Sequence, residues 1–250
     1  MQRYSSRTRG CKKVRSRAWA QYKKAFPQRT VAIARPIRSV GFGNSCTTVL
    51  RTSFFYNATA VAATGVWNGY LKPGSAYDPT GDLATIQPKD FDQLAALYNR
   101  YKVNSATIRI KITGLKGGVG DGGVWVAAAY PAVDVAPAAT YQGAASQQYA
   151  KTTSSTFYIN QAAQGAYAVA GAEGKYLTFK LNHAAVVGSR SDPWEMGALV
   201  SADPPAGQFM CLPMFLQSSA AGGNNPASWV LEIDIYQNVT FSQKKNAVDA

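Results

Sequence analysis

Arginine and lysine dominate the first forty residues, and the chemistry they offer is phosphate binding. Arg3, Arg7, Arg9, Lys12, Lys13, Arg15, Arg17, Lys23, Lys24, Arg29, Arg35 and Arg38 put a positive charge at nearly every third position, with no Asp or Glu between them. A guanidinium is a planar fork that can hold a phosphate through two hydrogen bonds, and each neutralised phosphate releases condensed counterions. Tyr4, Trp19, Tyr22 and Phe26 stand among these charges. Their flat faces suit stacking on unpaired bases. The twelve cations are the candidate nucleic-acid contacts, and Tyr4, Trp19 and Tyr22 the candidate stacking groups. Lys12, Lys13, Arg15 and Arg17, in the run KKVRSR, also fit a nuclear-import signal. No helix-turn-helix or zinc-finger spacing accompanies the charge, so base-specific readout is not expected.

Candidates for catalysis or metal binding are thin. The single histidine, His183, lies between Asn182 and Ala184, with no triad partner indicated by the sequence. It reads as a structural or surface residue. Cys11, Cys46 and Cys211 are odd in number and widely scattered, without the paired knuckles of a zinc site. They read as reduced thiols of a cytosolic or nuclear protein. Gly118–Gly123 (GVGDGG) matches G-x-G-x-x-G but is followed by a strand-like run, so a glycine-rich hairpin is expected instead of a phosphate-binding turn. Asp90 and Asp92 could be mistaken for a catalytic pair, but Asp90 fits a helix cap. Asp78 and Asp82 offer too few oxygens for a calcium shell. No enzyme, cofactor or metal is expected.

The charge is segregated. Residues 1–40 carry 12 basic side chains and no acid, whereas residues 41–250 carry 14 basic and 13 acidic, a net of +1. Charges so dense, with little apolar surface beside them, favour a disordered arm until a polyanion is met. The remainder has enough apolar residues for one core, since 46% of the chain is hydrophobic. Two domains are therefore expected: a basic arm over 1–40 and a body over 41–250.

In the body the dominant period is two, the mark of half-buried strands. Ile108, Ile110 and Ile112 alternate with Arg109 and Lys111; Leu177, Phe179 and Leu181 alternate with Thr178 and Lys180. Trp229, Leu231, Ile233, Ile235, Val239 and Phe241 share one face of a long strand over 228–242, with Glu232, Asp234, Asn238 and Thr240 on the other. Further strands are expected over 47–57, 123–130, 155–160, 198–201 and 208–217. Pro213 should put the last at an edge or a bulge. A helix capped by Asp90 is expected to carry the stripe Phe91, Leu94, Ala95, Tyr98 and Tyr101, and a weaker one falls near 142–151. The loops Lys72–Gly81 and Ser218–Pro226 are candidates for outward exposure. Many short strands with one or two inserted helices indicate an all-β antiparallel sandwich.

These features together resemble a known family: the capsid proteins of circovirus-like viruses, which have small circular single-stranded DNA genomes encoding a replication initiator. The resemblance rests on the basic start Arg3–Arg38 and on Phe91–Val103 (FDQLAALYNRYKV) leading into Asn104–Thr113. It also draws on Lys180–Arg190 (KLNHAAVVGSR) and the terminal strand Trp229–Phe241. It implies a single eight-stranded jelly roll, self-assembled as about sixty copies into an icosahedral shell around single-stranded DNA. About 720 arm charges would then face the genome. Virion and host-nuclear localisation and a nuclear-import role of the arm follow from the same likeness, with the import receptor and the cell-surface receptor left unknown. The arm is shorter and less arginine-dense than in circoviruses proper, which leaves genome type and host open. The alternatives are the coat of a small single-stranded RNA virus and a monomeric β-sandwich binding module, such as a lectin, with a basic tail. Membrane insertion is not expected: the most apolar stretch, Val124–Ala139, is broken by Pro131, Asp134 and Pro137.

Overall fold

The computed structural model describes residues 43–61, 63–116, 123–133, 138–157, 174–187, 197–205, 209–219 and 227–245. In chain order the elements are β1 (Ser45–Thr59), β2 (Val66–Leu71), α1 (Phe91–Ala95), β3 (Tyr98–Lys116), β4 (Val124–Ala129) and α2 (Tyr141–Ala145). They continue as β5 (Lys151–Thr156), β6 (Lys175–Asn182), α3 (His183–Val187), β7 (Ala198–Leu199), β8 (Leu212–Ser218) and β9 (Ser228–Lys244).

Strand pairing defines the architecture. β1 pairs with β9, β2 with β8, β3 with β6 and β4 with β5, every pair antiparallel. The chain is thus one long antiparallel ribbon whose turning point is the segment around α2. Folding that ribbon across itself sends alternate pairs to two sheets. The first, β1-β9-β3-β6, is stitched by β9·β3; the second, β2-β8-β4-β5, by β8·β4. This is an eight-stranded jelly roll, with the two-residue β7 added beside the start of β3.

Alternation then builds the core. Ile108, Ile110 and Ile112 of β3 face inward with Leu177, Phe179 and Leu181 of β6 and with Trp229, Leu231, Ile233 and Ile235 of β9, all at most 5% exposed. Trp67, Leu71, Trp125, Leu212, Met214 and Leu216 meet them from the second sheet. Trp125 donates its indole N–H to the Thr156 carbonyl at 3.1 Å. The ring lies against Gly114 of the opposite sheet, where a Cβ would come within 2.5 Å of the indole nitrogen. Gly114 is therefore required by close approach.

Several expectations are corrected. The helix near 90 is only five residues long, and Tyr98 and Tyr101 belong to β3. Asp90 does not cap it: its φ is 71° and its side chain makes no cap hydrogen bond. The aromatic stripe converges on Phe241 instead, with ring centroids 5.9 Å from Phe91, 6.1 Å from Tyr98 and 6.4 Å from Tyr101. Pairing with β9 outweighs local helix preference here. Lys245 satisfies the helix end, its Nζ donating to Ala95 O at 2.9 Å. The weaker helix covers only 141–145, and the strand expected at 155–160 runs from 151 to 156. Positions 158–160 lie outside the described residues.

Pro213 lies in an inner strand, between β2 and β4. It accepts from Tyr130 N at 3.2 Å but has no N–H to return, so the β4·β8 ladder ends at Met214, the residue after it. Ladder geometry resumes at Ala132 and Cys211, which exchange both bonds at 3.0 and 2.7 Å. The glycine-rich run before β4 joins two different sheets, so it is no hairpin, though residues 117–122 themselves lie outside the described set. The 72–81 loop is tucked against the body, with Ser75, Ala76 and Thr80 fully buried, and Ser218 is buried too.

Ile233 is 1% exposed at the centre of both ladders. Ile233→Ala should cost about 2–5 kcal/mol in urea unfolding. Ile233→Asp, an unpaired buried charge, should yield only insoluble chain. A soluble, cooperatively folded Ile233→Asp protein would mean that the two faces of β9 are assigned the wrong way round.

Candidate nucleic-acid interface

The twelve basic residues singled out in the sequence, from Arg3 to Arg38, lie outside the described residues, as do Tyr4, Trp19, Tyr22 and Cys11. The described chain begins at Gly43, whose carbonyl accepts from the Tyr98 hydroxyl at 3.2 Å. β1 follows at once, with Ser45 opposite Ser242 at one end of the first sheet.

The outward face of that sheet gathers charge from four strands. The register places Arg51, Tyr236, Thr107 and Lys180 in one cross-strand row, and Ser53, Asp234, Arg109 and Thr178 in the next. Phe55, Glu232, Lys111 and Tyr176 form a third. Arg51 and Arg109 approach the Tyr236 ring, their guanidinium carbons 5.3 and 6.0 Å from its centroid. Such contacts contribute about 0.5–1 kcal/mol at exposed sites. Arg51 also donates to Asp234 Oδ1 at 2.8 Å, and the Ser53 hydroxyl donates to the same oxygen. Lys111 pairs with Glu232 at 3.2 Å. With Arg100 and Lys102 further along β3, the described side chains of this face include six basic ones against Glu232 and Asp234, a net of +4.

The second sheet differs. Its outward positions on β2, β8, β4 and β5 include Val66, Asn68, Phe215, Gln217, Val126 and Thr152, and none of those described is charged. Ala128 and Phe215 lie under Ala144, Ala138 and Tyr141 in a small apolar cluster separate from the main core. Thr140 caps α2 there by accepting from Gly143 N at 3.1 Å.

A third constellation pins the 72–84 loop. Lys72 Nζ lies 2.8 Å from Asp203 and 3.7 Å from Asp78. Burial lowers the lysine pKa, but these two carboxylates raise it further, to above its ordinary value. Ser75 Oγ donates to Asp203 at 2.6 Å and lies 3.1 Å from the Tyr101 hydroxyl, whose pKa burial pushes strongly up. Gln237 Nε2 donates to the carbonyls of Pro73 and Ser75 at 3.0 and 2.6 Å. Asp78 accepts from Thr80, and Asp82 Oδ1 accepts from Tyr70 N at 2.8 Å. Asp82 is exposed, yet partial desolvation by the packed loop raises its pKa. These carboxylates hold a loop in place. Among the described residues no group of three His, Cys, Asp or Glu is placed to hold a metal ion. His183 is buried as the first residue of α3, and among the described residues neither Cys46 nor Cys211 is in a disulfide.

The sequence marks Arg109, Lys111 and Lys180 as outward-facing but gives no reason to group them with Arg51 and Tyr236. The missing information is strand order, since β1 and β6 become parts of one surface only through β9 and β3.

No family model matches the chain, and no curated protein sequence matches it. Solved structures with a similar chain course do exist. A semi-empty virus-like particle of the giant freshwater prawn Macrobrachium rosenbergii nodavirus matches with a TM-score of 0.46 at 16% identity, covering 86% of this chain and 93% of that one. Mud crab tombus-like virus gives 0.43 at 14%, covering 88% and 100%. A T=1 subviral particle of a Penaeus vannamei nodavirus capsid deletion mutant gives 0.41 at 14%, covering 82% and 97%. None of these three is a circovirus-like coat.

Asp234 provides a test of the charged face. Partial burial raises its pKa, but the hydrogen bonds from Arg51 and Ser53 and the charges of Arg51 and Arg109 outweigh this and hold it below the ordinary value. A depressed carboxylate stabilises the fold above its unfolded pKa, near about 3.9, and that stabilisation is lost as pH falls through the folded value. Urea midpoints of the wild type should exceed those of Asp234→Asn above about pH 5, and the two should converge below about pH 3. Parallel curves across that range would show that the Arg51–Asp234 pair contributes nothing.

Proposed function

We propose that this chain is a viral coat protein, its body over 41–250 forming an icosahedral shell of about sixty copies and its arm over 1–40 gathering a single-stranded genome. The observation that carries the reading is charge segregation: 12 of the net 13 positive charges precede residue 41, ahead of a jelly-roll body of net +1. A near-neutral, apolar-rich body can meet copies of itself over large surfaces without mutual repulsion. The polycationic arm supplies a sequence-independent grip on phosphate. On this reading Arg3 through Arg38 hold phosphates, Tyr4, Trp19 and Tyr22 stack on bases, and the protein resides in the virion. Lys12, Lys13, Arg15 and Arg17 also serve nuclear import if the genome is replicated in the host nucleus.

The polymer is proposed as single-stranded nucleic acid without a choice of sugar. The sequence resemblance implies DNA; the noda- and tombus-like names among the similar structures do not carry that implication forward. An RNA genome therefore stands beside the DNA one.

Negative-stain microscopy of the purified chain, with its absorbance ratio at 260 and 280 nm and separate DNase and RNase digestions, tests the proposal. Uniform shells containing protected nucleic acid are expected. A monomer free of nucleic acid across salt and pH would overturn it and favour the monomeric binding module. Deleting residues 1–38 removes 12 basic side chains, and nucleic-acid content should fall sharply along with its salt dependence. Undiminished packaging by the shortened chain would remove the arm from the mechanism.

A further inference from the structure

We propose that the outward face of the first sheet is a second contact for single-stranded nucleic acid, built around Tyr236 and the two guanidiniums beside it. Its setting rests on the coat-protein reading, but its residues are separate from those of the arm. Tyr236 lies on β9, and Arg51 from β1 and Arg109 from β3 reach it from the strands on either side. Bases stack on phenol rings and on guanidinium planes alike, and every base has a face to offer, so such a platform tolerates any sequence. Lys180 stands in the same cross-strand row as Arg51 and Tyr236, three strands away from Arg51. At about 4.8 Å per strand the row is some 14 Å wide, broad enough for a strand of nucleic acid to lie along it.

Two further observations favour a polyanion. First, Arg109 and Lys180 are exposed and take part in none of the ion pairs among the described residues. Arg109 acts on Asp234 only at longer range, and Lys180 has no described carboxylate in ion-pair contact. Arg51 is already oriented by Asp234, and all the groups stand on paired strands, so little order is lost on binding. Second, charge excludes the obvious rivals. The chain's own arm is polycationic, and a second copy packed face to face would oppose one net +4 surface with another. The uncharged outer face of the second sheet is better suited to protein contact. The occupant assigned here is therefore single-stranded nucleic acid.

Ultraviolet cross-linking of the full chain to oligothymidylate and to oligouridylate, with the adducts mapped by mass spectrometry, tests this directly. Adducts at Tyr236 or within 103–111, in addition to those in 1–40, are expected. Adducts confined to 1–40 would overturn the second contact and leave the arm reading intact. No adducts anywhere would overturn both. In the full chain, the double substitution Arg109→Gln/Lys180→Gln should reduce the slope of log K against log salt by about 1.4, at about 0.7 per phosphate lost. An unchanged slope with unchanged circular dichroism would count against the contact. The cross-link map is read on the unaltered protein, so it decides the matter even if the substituted chain folds poorly.

Discussion

Strand β9 is the constraint on which the body depends. It hydrogen-bonds to β1 along one edge and to β3 along the other, from Ser228 to beyond Phe241. Its inward side chains, Trp229 to Phe241, run the length of the core, and Gln237 among them donates to two carbonyls of the 72–84 loop. The last strand therefore joins the first strand to the third and fixes a loop between them. Until it docks, β1 has no partner in its sheet. Pairing across so much sequence carries a loop-closure cost before the contacts return it, so folding is expected to be slow relative to local topologies.

Much of this was legible in the sequence. The alternation in 107–113, 176–182 and 228–242 gave the inward faces of β3, β6 and β9, because a period of two has one structural meaning when one side is buried. It was less clear where two periods coexist. Phe91, Leu94, Tyr98 and Tyr101 have helical spacing, yet the helix stops at Ala95, since the backbone beyond it gains partners on β9 and β7. Pro213 was misplaced for a related reason. A missing N–H is tolerable in an inner strand when it faces a single rung: only the donor half of that rung is lost, while Pro213 O still accepts from Tyr130 N and the rungs on either side remain.

The surface was harder to read than the core. Which outward residues share a surface depends on strand order, and strand order in a folded ribbon follows from crossovers, not from local pattern. Arg51 and Arg109 are 58 positions apart in the sequence yet meet over Tyr236. Gln237 is an instance of the opposite kind. As a polar residue in an apolar series it looks like an interruption, but it is buried and its amide N–H groups meet loop carbonyls. A single polar position on a buried face can thus mark where a loop is held.

Charge completes the argument. Residues 41–250 have a net charge of +1, yet the outward face of the first sheet holds six basic and two acidic side chains. Among the described side chains off that face, six basic and five acidic ones remain, a net of +1. Within the described residues the excess positive charge is thus concentrated on one sheet face. A polyanion within about a Debye length would be drawn to that face and would meet little net charge on the rest of the described body. Such a bias would orient the chain on a polyanion before any contact forms. On the coat-protein reading proposed above, it would leave the uncharged outer face of the second sheet turned from the polymer, where burial against neighbouring copies would meet the least electrostatic opposition.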